Sequence, residues 1–249
     1  MLFQKIKLMT SFKSFKFIFI FCLITQLSAQ KQTITQAGLL RLTGQCTDLS
    51  NEKNFGLIEE VAIAFEKMKQ AAAEDGIQIK IVSSSRSFER QLAIWNAKYT
   101  QNKKDGLNPT DNINKIIEYS TIPGTSRHHW GTELDLVDAK PLVEGDVLLA
   151  HLFEDQGPYA SFKKWMDINS NSFGFYLVYT NDINRKGFKY EPWHYSYAPL
   201  SKPFLNEYLK INLDSLLNNK KILGKEYFTE EFIENYLRDY VLDISPKLK

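Results

Sequence analysis

Apolar residues recur at spacings of three and four at Leu57, Val61, Phe65, Met68 and Ala72, the period of an amphipathic helix, and Gly76 follows as its stop signal. The period then switches to two. Ile77-Gln78-Ile79-Lys80-Ile81 alternates apolar and polar side chains up to Val82, which predicts a half-buried strand delivering Ser83 to Arg86 at its end. A second helix is expected from near Phe88, carrying Gln91, Leu92 and Trp95, so that Arg86 sits at a strand-to-helix turn. Residues 100–125 are polar and turn-rich, include Ile122-Pro123-Gly124, and leave room for a short helix at 113–119. Residues 133–137 read as a strand, 158–168 as a helix, 173–180 as an aromatic-rich strand and 190–197 as the last strand of a sheet. Beyond Pro199 the chain becomes helical. Thr229 and the acidic Glu230 and Glu231 open a helix whose apolar face runs through Phe232, Ile233, Tyr236, Leu237, Tyr240 and Val241. The expected class is α+β: a small antiparallel sheet flanked by helices, with a C-terminal helical extension.

The N-terminus breaks this pattern. Lys5, Lys7, Lys13 and Lys16 precede an apolar run from Phe17 to Ile24, and Leu27-Ser28-Ala29 ends in a small residue. This reads as a secretory signal peptide over residues 1–29, too short to be comfortable as a membrane span. The division expected is therefore signal peptide 1–29, catalytic domain 30–199 and helical extension 200–249, in a protein exported to the periplasm or the medium. Removing residues 1–29 takes away four lysines and no acid, turning 31 basic against 29 acidic residues into 27 against 29. A near-neutral chain argues against nucleic-acid binding, which calls for a basic stripe or patch. Cys46 is then the sole cysteine, which rules out an intrachain disulfide and reads as a small apolar residue.

Chemistry concentrates in three short stretches: Ser85-Arg86-Ser87, Ser126-Arg127-His128-His129-Trp130-Gly131 running on to Asp135, and Glu191-Pro192-Trp193-His194. A catalytic zinc site takes three ligands from His and Asp or Glu and leaves a position open for water. His128, Asp135 and His194 offer that set. Glu191 is placed to take a proton from the attacking water and pass it to a leaving amine. His129 is an equally capable imidazole beside His128. Strand alternation puts Glu133 on the face of Asp135 and Asp138 on the other. Residues three apart on a regular strand face opposite ways, so Glu191 and His194 converge only if the backbone bends, and Pro192 supplies the bend.

Taken in order, Arg-Ser, then Ser-x-His-x-x-Gly-x-x-x-Asp, then Glu-Pro-Trp-His resembles the D-alanyl-D-alanine carboxypeptidases of the VanY type, a family that also holds L,D-carboxypeptidases, over residues 77–198. The resemblance implies zinc (Zn2+) on His128, Asp135 and His194, with Glu191 as general base. It further implies Arg86 as the substrate-binding arginine, Ser126 near the substrate carboxylate and Gln91 helping to line the pocket. His129 becomes a neighbour of the site and not a ligand. The implied task is hydrolysis of the terminal peptide bond of peptidoglycan stem peptides, releasing D-alanine. The alternatives are a non-catalytic zinc-containing module that binds peptidoglycan or a protein, and an endopeptidase or dipeptidase of the same fold. Four positions depart from the family pattern. Ser84-Ser85 replaces Gly-Tyr, Glu133 replaces a small residue, and Ser196 stands where arginine is common.

Overall fold

In the computed structural model, residues 35–46, 55–217 and 221–249 are described. The signal peptide expected at 1–29 lies outside them. Residues 35–249 cluster as one compact unit.

Helix α1 (Gln36–Leu42) is capped by Thr35, whose hydroxyl accepts the Gly38 N–H. Helix α2 (Glu59–Glu74) buries the stripe read from the sequence, Val61, Phe65, Met68 and Ala72, and Gly76 follows at φ 82°. Full burial of each large side chain in that stripe contributes about 1.5–3 kcal/mol. Strand β1 (Ile79–Ser83) leads through Arg86 into α3 (Phe88–Lys104), capped by Ser87.

Helix α3 continues past residue 100, where the sequence reads as turns. Its last turns expose lysines and Gln101 but bury Tyr99 and Asn102. Asn102 donates to Asn112 at 3.0 Å, and Asn112 donates to the Tyr99 carbonyl at 2.8 Å. This buried amide pair binds α3 to α4 (Pro109–Ile116), so residues that count as polar in a pattern act as core here. Helix α4 starts earlier than expected because Asn108 caps it and Pro109 takes the first turn.

The four strands are β1, β2 (Glu133–Asp138), β3 (Phe175–Leu177) and β4 (His194–Tyr197), arranged β1-β2-β4-β3 with every pairing antiparallel. Strands β3 and β4 are shorter than their apolar patterns suggested. Ser170–Phe173 forms a 3-10 turn ending on Gly174 in the left-handed region, and residues 191–193 form a turn ahead of β4. Asp138 closes β2 by accepting the N–H groups of Gln78 and Lys140. His151 is exposed on a short 3-10 turn.

One sheet face packs Leu134, Leu136, Tyr195 and Tyr197 against α2 and α5 (Ala160–Asn169), which contributes Phe162, Trp165 and Met166. From β4 the chain passes directly into α6 (Ala198–Tyr208), then α7 (Asp214–Leu217) and α8 (Glu230–Tyr236), the last capped by Thr229. No helix among the described residues is long and apolar enough to cross a membrane.

Candidate metal centre

Alternation along β2 separates chemistry from core. Asp135 pairs with His194 across the β2-β4 ladder and Glu133 pairs with Ser196, so these four share one face while Leu134 and Tyr195 enter the core on the other. His128 comes from the 3-10 turn Arg127–Trp130, whose first N–H groups are capped by the Ser126 hydroxyl, with Gly131 at φ 75° ending it. Candidate ligand atoms of His128, Asp135 and His194 lie within 4.8 Å of one another, and the two imidazole rings are 4.6 Å apart. All three residues are buried.

Hydrogen bonds assign the ring nitrogens. His128 Nδ1 lies 2.7 Å from the Ser84 carbonyl, which only accepts, so Nδ1 carries the proton and Nε2 faces Asp135 Oδ1 at 3.4 Å. That Asp135 oxygen is buried without a hydrogen-bond partner. His194 Nε2 lies 3.1 Å from Glu133 Oε2, leaving Nδ1 toward the pocket at 3.0 Å from Glu191 Oε2. Burial opposes charge on His194, but its bonds to Glu133 and Glu191 and the nearby Asp135 charge prevail and hold its pKa at about 9. Two imidazole nitrogens and a bare carboxylate oxygen form a donor set that fits zinc.

Glu133 is fully buried and stands behind His194. Its carboxylate also accepts Ser196 Oγ at 2.7 Å, Thr132 Oγ1 at 2.9 Å and Arg127 Nη2 at 3.2 Å. Burial alone would raise its pKa, yet the Arg127 charge and the His194 bond bring it down to about 2. A carboxylate holding the far nitrogen of an imidazole is how proteins orient a metal-binding histidine. Sequence reading noticed Glu133 but missed Arg127, whose guanidinium also donates to Ser196 at 2.9 Å and lies 4.4 Å over the Trp130 ring. Its signal was present. Arg127 sits inside the metal loop, and a buried acid beside it requires a counter-charge.

His129 uses both nitrogens elsewhere. Nδ1 is 2.7 Å from the Arg86 carbonyl and Nε2 accepts the Gly124 N–H at 3.1 Å, so the ring is a neutral crosspiece with its pKa lowered to about 4, chiefly by burial. Arg86 donates its backbone N–H to the His128 carbonyl, Nη1 to Gln91 Oε1 at 3.0 Å and Nη2 toward Asp135 Oδ2 at 3.4 Å. Gln91, expected on the pocket wall, is instead fully buried behind Arg86, its amide donating to the Thr121 carbonyl. Glu191 lies in the turn before β4, where the His194 N–H closes on its carbonyl at 3.1 Å. Burial lifts its carboxyl above the usual range, against the bond from His194.

A cleft of about 450 Å³ opens over these groups, lined by Arg86, Ser126, His128, Asp135, Glu191 and His194, with Trp193, Tyr179 and Lys98 on its walls. It brings together a metal-type donor set, a buried carboxylate and a planar cation within one concavity.

Comparison with known proteins agrees in kind. A family model described as VanY, D-alanyl-D-alanine carboxypeptidase, matches residues 54–200. An uncharacterized protein of Haemophilus influenzae is 29% identical over 123 residues, 49% of this chain and 93% of that protein. A D-alanyl-D-alanine carboxypeptidase of Enterococcus faecalis is 27% identical over 153 residues, 61% of this chain and 52% of that one. The chain thus spans about half the length of the enterococcal enzyme. Among solved structures, VanYB in complex with D-alanine-D-alanine aligns with a TM-score of 0.47 at 23% identity, covering 66% of this chain and 83% of that one.

Proposed function

Because the chain belongs to the VanY D-alanyl-D-alanine carboxypeptidase family, we propose that it is an exported zinc carboxypeptidase that removes the terminal D-alanine from peptidoglycan stem peptides. The observation that carries this reading is the convergence of His128, Asp135 and His194 within 4.8 Å beside Glu191 and Arg86 in one cleft. Zinc, when held by those three residues, supplies Lewis-acid polarisation of water and of the scissile carbonyl.

The chain's own groups do the rest. Arg86 presents a planar fork to the substrate's terminal carboxylate, and its other contacts, to Gln91 and Asp135, set that fork's direction. Ser126 Oγ accepts the His128 N–H at 3.3 Å, which leaves its own proton to donate to the same carboxylate. Glu191 takes a proton from the attacking water and returns it to the amine that leaves. Trp193 and Tyr179 close the walls and exclude solvent from the exchange.

The test is product analysis by mass spectrometry on defined muropeptides. Zinc-loaded protein is expected to release one C-terminal residue. Glu191→Ala should reduce turnover by about 10²–10⁴-fold while retaining zinc, and chelation should abolish turnover in the parent. Near-normal hydrolysis by Glu191→Ala refutes the assigned base. A fully metallated protein that binds muropeptides and releases nothing is a binding module, and cleavage at internal cross-links makes it an endopeptidase.

A further inference from the structure

The family match ends at residue 200, yet the segment that seats the substrate clamp is tied down from beyond it. We propose that Tyr236, in the C-terminal extension, is a positioning residue for substrate binding: its phenol holds residues 120–126 and through them sets Arg86 and Ser126. The kinetic part of this proposal rests on the peptidase reading above.

Tyr236 is 1% exposed. Its oxygen accepts the Ile122 N–H at 3.0 Å and lies 2.8 Å from Thr125 Oγ1. The Thr125 hydroxyl spends its own proton on the Ile122 carbonyl at 2.8 Å, so the phenol donates to Thr125. Two routes lead from this pinned segment to Arg86. Along one, the Thr121 carbonyl fixes Gln91, and Gln91 fixes the guanidinium. Along the other, the Gly124 N–H fixes His129, and His129 fixes the Arg86 carbonyl. Ser126 follows directly after Thr125 in the chain.

The rest of the extension reinforces the same segment. Tyr208 donates to the Gly124 carbonyl at 3.2 Å, and Gly124, at φ 90°, has its missing side chain's place filled by Leu216. An adjoining stretch of the cleft lining is held too. Arg185 donates to the carbonyls of Thr180, Phe188 and Asp243, while the Asp243 carboxylate accepts the Lys186 and Gly187 N–H groups. Phe188, a lining residue, packs edge-on to Tyr236 at 6.3 Å and to Tyr240 at 5.4 Å. The C-terminal extension therefore braces two stretches that line the cleft.

The decisive variant is Tyr236→Phe, which deletes the hydroxyl and keeps the stack with Phe232 and Tyr240. Because Arg86 grips the carboxylate equally in ground and transition states, loosening it raises KM with little change in kcat. Loss of the phenol's two hydrogen bonds, about half of whose worth is absorbed by the loop before it reaches Arg86, predicts a KM roughly fivefold to tenfold higher, a kcat within about twofold and unchanged zinc content. Hydrogen exchange in residues 120–126 should accelerate about tenfold while α2 and β2 stay protected. Thr125→Val cuts one of the two links from the loop side and leaves the Ile122 N–H bond in place, so it should raise KM and speed exchange in the same direction by a smaller amount. Thr125→Val carries the test by itself if Tyr236→Phe does not fold. A lower melting temperature with normal KM, or unchanged exchange in 120–126, overturns the proposal. If the parent hydrolyses no stem peptide, the proposed function falls, and exchange alone then decides whether Tyr236 holds the segment.

Discussion

Glu133→Gln exchanges one carboxylate oxygen for an NH2 group and leaves the side-chain volume in place. In the native site that carboxylate receives His194 Nε2, Arg127, Ser196 and Thr132 at 0% exposure. Glutamine offers a single acceptor oxygen. Its NH2 must face either the His194 N–H or the Arg127 guanidinium, placing two donors head to head, and Arg127 is 2% exposed and loses its counter-charge in both cases. Breaking a buried ion pair costs about 3–5 kcal/mol, and the remaining amide oxygen keeps this variant at the low end, about 3 kcal/mol. Removing a carboxylate that orients a ligand imidazole lowers metal affinity about 10–100-fold, equivalent to about 1.4–2.8 kcal/mol. Zinc competition against a chromophoric chelator reads the affinity, and denaturant unfolding of the metal-free protein reads the stability. A folded Glu133→Gln protein that binds zinc within twofold of the parent refutes the orienting role. Adding Arg127→Met to it should recover stability, since the unpaired charge is gone, without recovering affinity. The two readouts therefore separate Glu133 as partner of Arg127 from Glu133 as partner of His194.

Two further outcomes follow from the same geometry. His129→Ala removes the bonds to the Arg86 carbonyl and the Gly124 N–H and leaves a buried amide unsatisfied, so stability should fall about 2–4 kcal/mol in chemical denaturation while zinc stoichiometry stays at one; loss of zinc would make His129 a ligand. Arg86→Lys replaces a planar fork held by Gln91 with a point charge, and should raise KM at least about tenfold for substrates with a free C-terminus; an equal KM for parent and variant on such substrates contradicts the carboxylate clamp.

Elements whose packing follows a simple period were legible in the sequence. The α2 stripe and the β2 alternation are decided by burial of one face, and that alternation placed Glu133 with Asp135 and excluded Asp138. The bend at Pro192 followed from the need for Glu191 and His194 to converge. Illegible were features decided by contacts distant along the chain. Nothing local to Asn102 announces that Asn112 will satisfy its amide, so α3 looked as if it ended early. Gln91 was read as a wall residue because the family resemblance implies it; it points inward because the Thr121 carbonyl, 30 positions away, accepts from it at 3.0 Å. Tyr236 was counted in an apolar stripe, which its ring obeys, and the pattern is blind to its hydroxyl.

Two of the substitutions that set this chain apart from the family pattern, Glu133 and Ser196, make better sense as one local exchange than as separate changes. Glu133 and Ser196 face each other in the β2-β4 register, and Ser196 Oγ bonds both Glu133 and Ser201. An arginine arising from position 196 would meet the volume that the Glu133 side chain now fills, so the small serine and the large acid imply each other. The cation that Glu133 requires comes instead from Arg127, stacked on Trp130. Charge is thereby balanced below the metal face, and Arg127 is consumed by that balance. The guanidinium that faces the cleft is Arg86, with Lys98 further along the lining donating to Ser120 at 2.7 Å. On the proposed reading, discrimination between substrates falls to those two cations and the segment that seats Arg86.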